Sequence, residues 1–367
     1  MLRIDRRLFA HTDWPLLLCM LLVTACGMLT VLSATHTHDR ILSGLLVRQG
    51  LWAGLGLIGL VAALSFDYHW LERYGYFIYT AALLLLVATA VMGSSGGGAR
   101  RWIAIGPISL QTSEFAKLAL VIGLARYLHR QVGERALSLR ALVVPILLLV
   151  PPALLILKQP DLGTVVVLAL TAGVVLLVAG LRLRIVVIIL AIVLPVVPHV
   201  WHHLKPYQRQ RVVTFVDPQA DPLGAGYHII QSKIAIGSGE LQGKGFLKGT
   251  QNRLNFLPEQ HTDFIFAVFA EEWGFIGGCV LICLYVALLL RCFMVATRAR
   301  DAFGLLLAFG LTAAIFGQVL VNIAMATGSL PVVGITLPFF SYGGSSLLAC
   351  MIAIGLLMNI SMRRFTF

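Results

Sequence analysis

Charge is scarce in this chain. Only 12% of its 367 residues are Asp, Glu, Lys or Arg, about half the roughly 25% of ordinary soluble domains. That poverty, with a hydrophobic share of 59%, excludes an ordinary soluble domain. Strict apolar–polar alternation is missing too, which excludes a membrane β-barrel. Cysteine is thin: Cys19, Cys26, Cys279, Cys283, Cys292 and Cys350 fall in or at the ends of apolar stretches. None has zinc-ligand spacing in a loop, so they read as small apolar residues with neither a disulfide nor a metal role. No internal repeat is visible, which argues against an inverted-repeat transporter.

What remains is long apolar runs. Several reach roughly 18 residues, the length that crosses hydrocarbon. The chain is therefore expected to be an all-α polytopic membrane protein with about ten transmembrane helices. The spans lie near 15–34, 45–65, 75–92, 112–128, 141–157, 163–180, 185–201, 264–290, 304–326 and 343–361. The first is too long for a cleaved signal peptide and is expected to be retained. More than half of the 28 Lys and Arg residues fall in segments that are cytoplasmic if the N-terminus is inside. Short loops set orientation, so both termini are expected in the cytoplasm.

One outer loop is long, about 202–263, between spans seven and eight. It carries seven cations: Lys205, Arg209, Arg211, Lys233, Lys244, Lys248 and Arg253. Long loops in compact proteins are usually functional, and a basic one beside a membrane suggests an anionic ligand. Nucleic acid is excluded, since no soluble domain is there to hold it. Within the loop, Tyr227, Ile230 and Ile234 recur at helical spacing, as in an amphipathic helix resting on the membrane. The run GELQGKG resembles a phosphate loop superficially, but its spacing is one short and no Ser or Thr follows Lys244. It reads as a tight turn whose backbone amides face an anion. The second outer loop, 93–111, has freely turning glycines beside Arg100, Arg101 and Trp102.

In so apolar a chain each ionisable residue near a span is informative. Arg48, Glu114 and Lys117 are such residues. Glu114 and Lys117, three apart, share a helix face; they form a structural ion pair, with or without Arg48, or line a ligand cavity. Asp161, in KQPDLGT, is placed to cap the helix after Pro160; ligand contact together with Lys158 is the lesser reading. Asp263 lies beside His261 and Thr262 at the mouth of the apolar run Phe264–Ala270. It either caps a helix or supplies proton chemistry, with His261 orienting it or only packing.

The strings RRWIAIG, QTSEFAK, KQPDLGT, YQRQRV, DPLGAGYHIIQSKIAIGSG, FLPEQHTDFIFAVFAEEWG and LPFFSYGGSS occur in that order. Together they resemble the SEDS family (shape, elongation, division and sporulation) of polytopic cell-wall proteins. The likeness runs over nearly the whole chain and is nearer the elongation branch than the division branch. Thr112 departs from it, standing where the family commonly has Pro.

The resemblance implies a single domain, 1–367, that polymerises lipid II into β-1,4-linked glycan. It implies Asp263 as the catalytic carboxylate and a class B penicillin-binding protein as partner, with MreC and MreD in the same assembly. Arg48, Arg101, Lys117, Arg209 and Lys233 are then candidates for the leaving pyrophosphate, and Ser341 for the edge of the cavity. A divalent cation, Mg or Mn, is compatible with such a site, although no ligand cluster demands one. The competing readings are a lipid II flippase and a non-catalytic scaffold for the penicillin-binding protein.

Overall fold

The structure is a computed structural model. It describes residues 12–35, 44–96, 99–105, 108–133, 137, 139–193, 195, 206–220, 225–254, 256–257 and 259–365. Lys205 and the 196–201 end of the expected seventh span lie outside the described residues.

The chain opens with α1 (Trp14–Thr35), α2 (Gly44–Ser65) and α3 (His69–Met92). A three-stranded antiparallel sheet follows, β1 (Ser94–Gly96), β2 (Ala99–Ile105) and β3 (Ile108–Gln111), with Trp102 opposite Gln111 and Ile105 opposite Ile108. The loop expected to turn freely is thus a small sheet, and the fold is mostly helical without being purely so. Its strands carry the aromatic and β-branched residues Trp102, Ile103, Ile105 and Ile108, which suit a pleated surface.

Next come α4 (Thr112–Leu128), α5 (Val143–Lys158), α6 (Leu162–Val178), α7 (Leu183–Val193) and, in the long loop, α8 (Pro206–Val216), α9 (Ala225–Ser238) and α10 (Thr250–Arg253). The chain closes with α11 (Ile265–Thr297), α12 (Ala302–Ala326) and α13 (Gly344–Met362). Among the described residues seven helices are long and apolar enough to cross a membrane. They match the first, second, third, fifth, eighth, ninth and tenth expected spans, the fifth as a 19-residue segment Arg140–Lys158 in which a 3₁₀ turn runs into α5. The fourth and sixth coincide with α4 and α6, each of 17 residues and just under that length, and the seventh begins in α7, described over Leu183–Val193.

Helices α12 and α13 form the centre. Their most apolar windows are 72% and 83% buried, against 22% for α2 and α3, which face outward. Helix α13 packs on α2, and α12 on α4, α6 and α11. Small residues permit the close approaches: a Cβ on Gly355 would lie 2.7 Å from the Leu60 carbonyl oxygen. Such contacts matter where lipid supplies no hydrophobic drive between helices.

Polar links mark the two ends of the bundle. At one end Gln111 N–H donates to Ser345 Oγ (2.9 Å) and Arg101 reaches the carbonyl of Gln159. At the other, Arg291 pairs with Asp13 and Arg363 with Asp67. The α9 segment is helical as expected, with a different inner face. Ile229, Ser232 and Ala235 are buried while Ile234 is 44% exposed, so the helix lies on α11 and α12 and turns the Ile234 side outward.

Candidate active site

Asp263 is half-buried and ends the turn that leads into α11. Three hydrogen bonds fix that turn's backbone. Asn322 Nδ2, from the centre of the bundle, donates to the Asp263 carbonyl (3.0 Å). Ser341 Oγ donates to the Thr262 carbonyl (2.6 Å). Tyr342 N–H donates to the His261 carbonyl (2.8 Å). Asn322 Nδ2 also donates to the Ile335 carbonyl (2.6 Å) and so ties the 331–343 loop to the turn. Gly334 lies against the carboxylate, a Cβ there standing 3.5 Å from Asp263 Oδ2 in ordinary contact, and its φ of 75° is what favours glycine at this position.

Asp263 has the electrostatics of a proton acceptor. Burial pushes its carboxyl up to about 6 and the Glu259 carboxylate adds to the push. Arg211 and Arg101 oppose it, and Asp161 adds a smaller upward contribution. Arg211 Nη1 is buried and has no hydrogen-bond partner among the described residues. A buried, unsatisfied donor is costly unless something arrives to accept from it, so this atom is suited to an anionic ligand.

Arg101 is fixed rather than free. Its Nε donates to the Gln159 carbonyl (2.8 Å) and its Nη2 to the Pro160 carbonyl. It holds the turn in which Asp161 caps α6, accepting from Thr164 N–H (3.1 Å) and Thr164 Oγ1 (2.8 Å). Asp161 is buried, and burial raises its carboxyl above the ordinary range. The capping role expected from KQPDLGT is present. Lys158 is exposed at the end of α5.

Other candidates lie elsewhere. Lys117 Nζ and Glu114 Oε1 form a buried ion pair at 2.9 Å, with Gln318 Nε2 3.5 Å from Glu114 Oε2. The space beside them is about 10 Å³, enough for about one water and too small for a pyrophosphate. The structural pairing therefore holds and Arg48 has no part in it, being exposed on α2. His261 packs its ring edge-on to Tyr342, centroids 5.8 Å apart, with no hydrogen bond to Asp263. Thr262 Oγ1 donates to Glu259 Oε2 (3.1 Å). Lys233 is exposed and lies over Gly328. Arg209 is half-buried on α8, two residues from Arg211 and so on a different side of that helix.

Arg211, Asn322 and Glu259 are the site residues that the sequence did not single out. For Arg211 the signal was present in YQRQRV, but choosing between two arginines needs the helix's rotation. Among the described residues no group of three or more His, Cys, Asp or Glu side chains could hold a metal ion. Ser341 is the most directly testable support of the turn. Ser341→Ala strips the Thr262 carbonyl of its donor and Leu337 N–H of its acceptor (2.8 Å). The expected loss is about 1–3 kcal/mol of stability, read as a lower melting point in detergent.

The fold and this site define a multi-pass helical membrane protein with a carboxylate and two arginines gathered at one end of its bundle. The family model of the cell cycle proteins FtsW, RodA and SpoVE matches residues 13–365, and the chain belongs to that family. It is 42% identical over 355 residues to the peptidoglycan glycosyltransferase MrdB of Escherichia coli K12, covering 96% of this chain and 94% of the relative. It is 34% identical over 426 residues to the peptidoglycan glycosyltransferase RodA of Treponema pallidum, covering 96% and 98%. Among solved structures it resembles a chain of a peptidoglycan synthase complex that coordinates polymerization and crosslinking, with TM-score 0.84 and 35% identity over 97% and 99% of the two chains. The crystal structure of the Thermus thermophilus rod shape determining protein RodA gives TM-score 0.73 and 31% identity over 97% and 98%.

Proposed function

We propose that this protein is a peptidoglycan glycosyltransferase of cell elongation. It polymerises lipid II into β-1,4 glycan strands at the outer face of the cytoplasmic membrane and releases undecaprenyl pyrophosphate. The observation that carries the reading is the half-buried Asp263 carboxylate, pushed up to about 6 within the field of Arg211, whose buried Nη1 has no hydrogen-bond partner among the described residues. The names of the aligned relatives support the reaction class.

In this reaction Asp263 takes the proton of the acceptor sugar's hydroxyl. The oxygen attacks the donor's anomeric carbon, and the bond from that carbon to the pyrophosphate oxygen breaks with its electron pair leaving on the pyrophosphate. A general base must stand within hydrogen-bond reach of that hydroxyl. A single displacement turns an α-linked donor into a β-linked product. Arg211 and Arg101 stabilise the charge that develops on the leaving group. A divalent cation, Mg or Mn, bound to the substrate's own pyrophosphate would need few protein ligands.

The polyprenyl chain has an apolar place to lie. A groove of about 490 Å³ runs between α1 and α11, lined by Cys26, Leu29, Phe269, Trp273, Ile276 and Val280. Ten crossings with both termini cytoplasmic put Asp263 on the outer side, where lipid II is consumed. A class B penicillin-binding protein is the crosslinking partner, with MreC and MreD in the assembly.

Detergent solution tests the reading because it has no leaflets, so movement of lipid across a membrane cannot mimic catalysis. The protein is purified with its penicillin-binding partner, whose transpeptidase is blocked by a β-lactam, and given lipid II. Glycan polymer is the expected product. No polymer, with a control polymerase active in parallel, would move the assignment to flippase or scaffold.

A further inference from the structure

At the end of the bundle opposite Asp263, the start of α3 and the end of α4 enclose a second cavity of about 630 Å³. Three arginines line it, Arg73, Arg126 and Arg130, against a single carboxylate, Glu72. That carboxylate already faces His129 Nε2 at 3.2 Å. Arg126 is fixed in place. Its Nη1 donates to the carbonyls of Glu72 and Arg73, and its guanidinium sits 4.7 Å from the centroid of the Tyr76 ring. Arg73 and Arg130 are exposed, and neither pairs with a carboxylate among the described residues. A rigid guanidinium flanked by two that no carboxylate neutralises, Arg73 resting 5.7 Å from the centroid of the Tyr74 ring, matches a phosphodiester, which arginine binds through two parallel hydrogen bonds.

The surroundings select among phosphates. Beside the cavity α3 exposes Trp70, Tyr74, Tyr76 and Phe77, the last by 74%, and Trp and Tyr settle at headgroup depth. Farther along the same helix Leu84 and Val91 are exposed apolar residues. A soluble anion has no use for such a stripe, whereas acyl chains do. We propose that this cavity is a binding site for the headgroup of an anionic phospholipid, its chains lying along α3.

Generic attraction of arginines to an anionic leaflet makes a different prediction, so the experiment includes its control. Arg182 and Arg184 are exposed at the same end of the bundle and outside the cavity. The purified protein, Arg73→Gln/Arg130→Gln and Arg182→Gln/Arg184→Gln are compared by native mass spectrometry. Each is offered phosphatidylglycerol, phosphatidylcholine or inorganic phosphate.

The wild type and the Arg182/Arg184 variant should retain phosphatidylglycerol, and the Arg73/Arg130 variant should retain about tenfold less. Equal loss in both variants overturns the site in favour of surface charge. Equal retention of phosphatidylcholine overturns the headgroup, and displacement by inorganic phosphate at matched concentration overturns the lipid. If Arg73→Gln/Arg130→Gln does not fold, Arg73→Lys/Arg130→Lys keeps the charge and loses the fork. A severalfold weaker retention is then expected, and unchanged retention overturns the proposal.

Discussion

Replacing Asp263 by Asn is expected to lower glycan polymerisation by about 10²–10⁴-fold, the range that a positioned general base contributes. The change keeps shape and removes only the ability to accept a proton. It should not cost stability. Burial holds the folded carboxyl at about 6, above the ordinary 3.8, so the folded chain binds this proton more tightly than the unfolded one. As pH rises from about 4 to 6 the group must ionise in an unfavourable place, and its linkage lowers stability across that window. Asparagine carries no such burden, so at pH 7 the variant should melt no lower than wild type. Lost activity with a lower melting point would reduce Asp263 to a structural residue.

The same carboxylate sets a pH limb. A base must be ionised, so the wild-type rate should fall tenfold per unit as pH drops below about 6. The neighbours then shift that limb in opposite directions. Glu259 raises the Asp263 carboxyl and Arg211 lowers it. Glu259→Gln should therefore move the limb to lower pH and Arg211→Gln to higher pH. A limb that stays in place in both variants would mean that another group titrates.

Much of this was legible in the sequence, for identifiable reasons. Helix positions follow from apolar length alone, and the end of α12 at Ala326 and the start of α13 at Gly344 fall within a residue of expectation. Which helices are central did not follow. In a bilayer the outside is as apolar as the core, so α13 and α2 show no stripe that separates a buried face from a lipid-facing one.

Asp161 was legible as a cap because capping is local in sequence. Arg211 was not preferred to Arg209, and Asn322 was missed, because their partners arrive from other elements. The attention given to Arg48, Glu114 and Lys117 also passed over Glu271 and Glu272, buried acids within α11 itself. The glycine loop was read as presenting its amides to an anion. The amides of the run GELQGKG meet backbone instead, Lys244 N–H and Gly245 N–H donating to the carbonyls of Glu271 and Glu272. The amides that do reach an anion are those of α10, where Thr250 N–H and Gln251 N–H donate to Glu271 Oε1 at 2.8 and 3.1 Å. The anion is a side chain of the protein itself.

That loop gives the second large effect. Gly274→Ala should destabilise the protein by about 3–6 kcal/mol and take polymerisation with it. Helix α11 breaks at Gly274, whose φ of 66° and ψ of −165° lie in a region that is essentially glycine's alone. The break lets the 239–250 loop pair with the helix backbone from both sides. Lys244 N–H and Gly245 N–H donate to the carbonyls of Glu271 and Glu272 (3.0 and 2.9 Å). Phe275 N–H and Ile276 N–H donate in turn to Glu240 and Leu241 (2.8 and 3.1 Å). Lys244 Nζ closes the joint on Glu271 Oε1 at 2.6 Å. A Cβ on Gly274 would lie 2.3 Å from Gly243 N, and a backbone atom in that joint cannot swing aside as a side chain can. The alanine must therefore either open the joint, leaving buried N–H and C=O groups unpaired, or move the nine-residue segment Ile265–Trp273 that leads back to Asp263. Gly278→Ala is the matched control, because a Cβ there meets nothing within 4 Å and alanine is the better helix former by about 1 kcal/mol. Melting in detergent should separate the two substitutions in opposite directions, and equal melting points would show that the break at Gly274 bears no structural load.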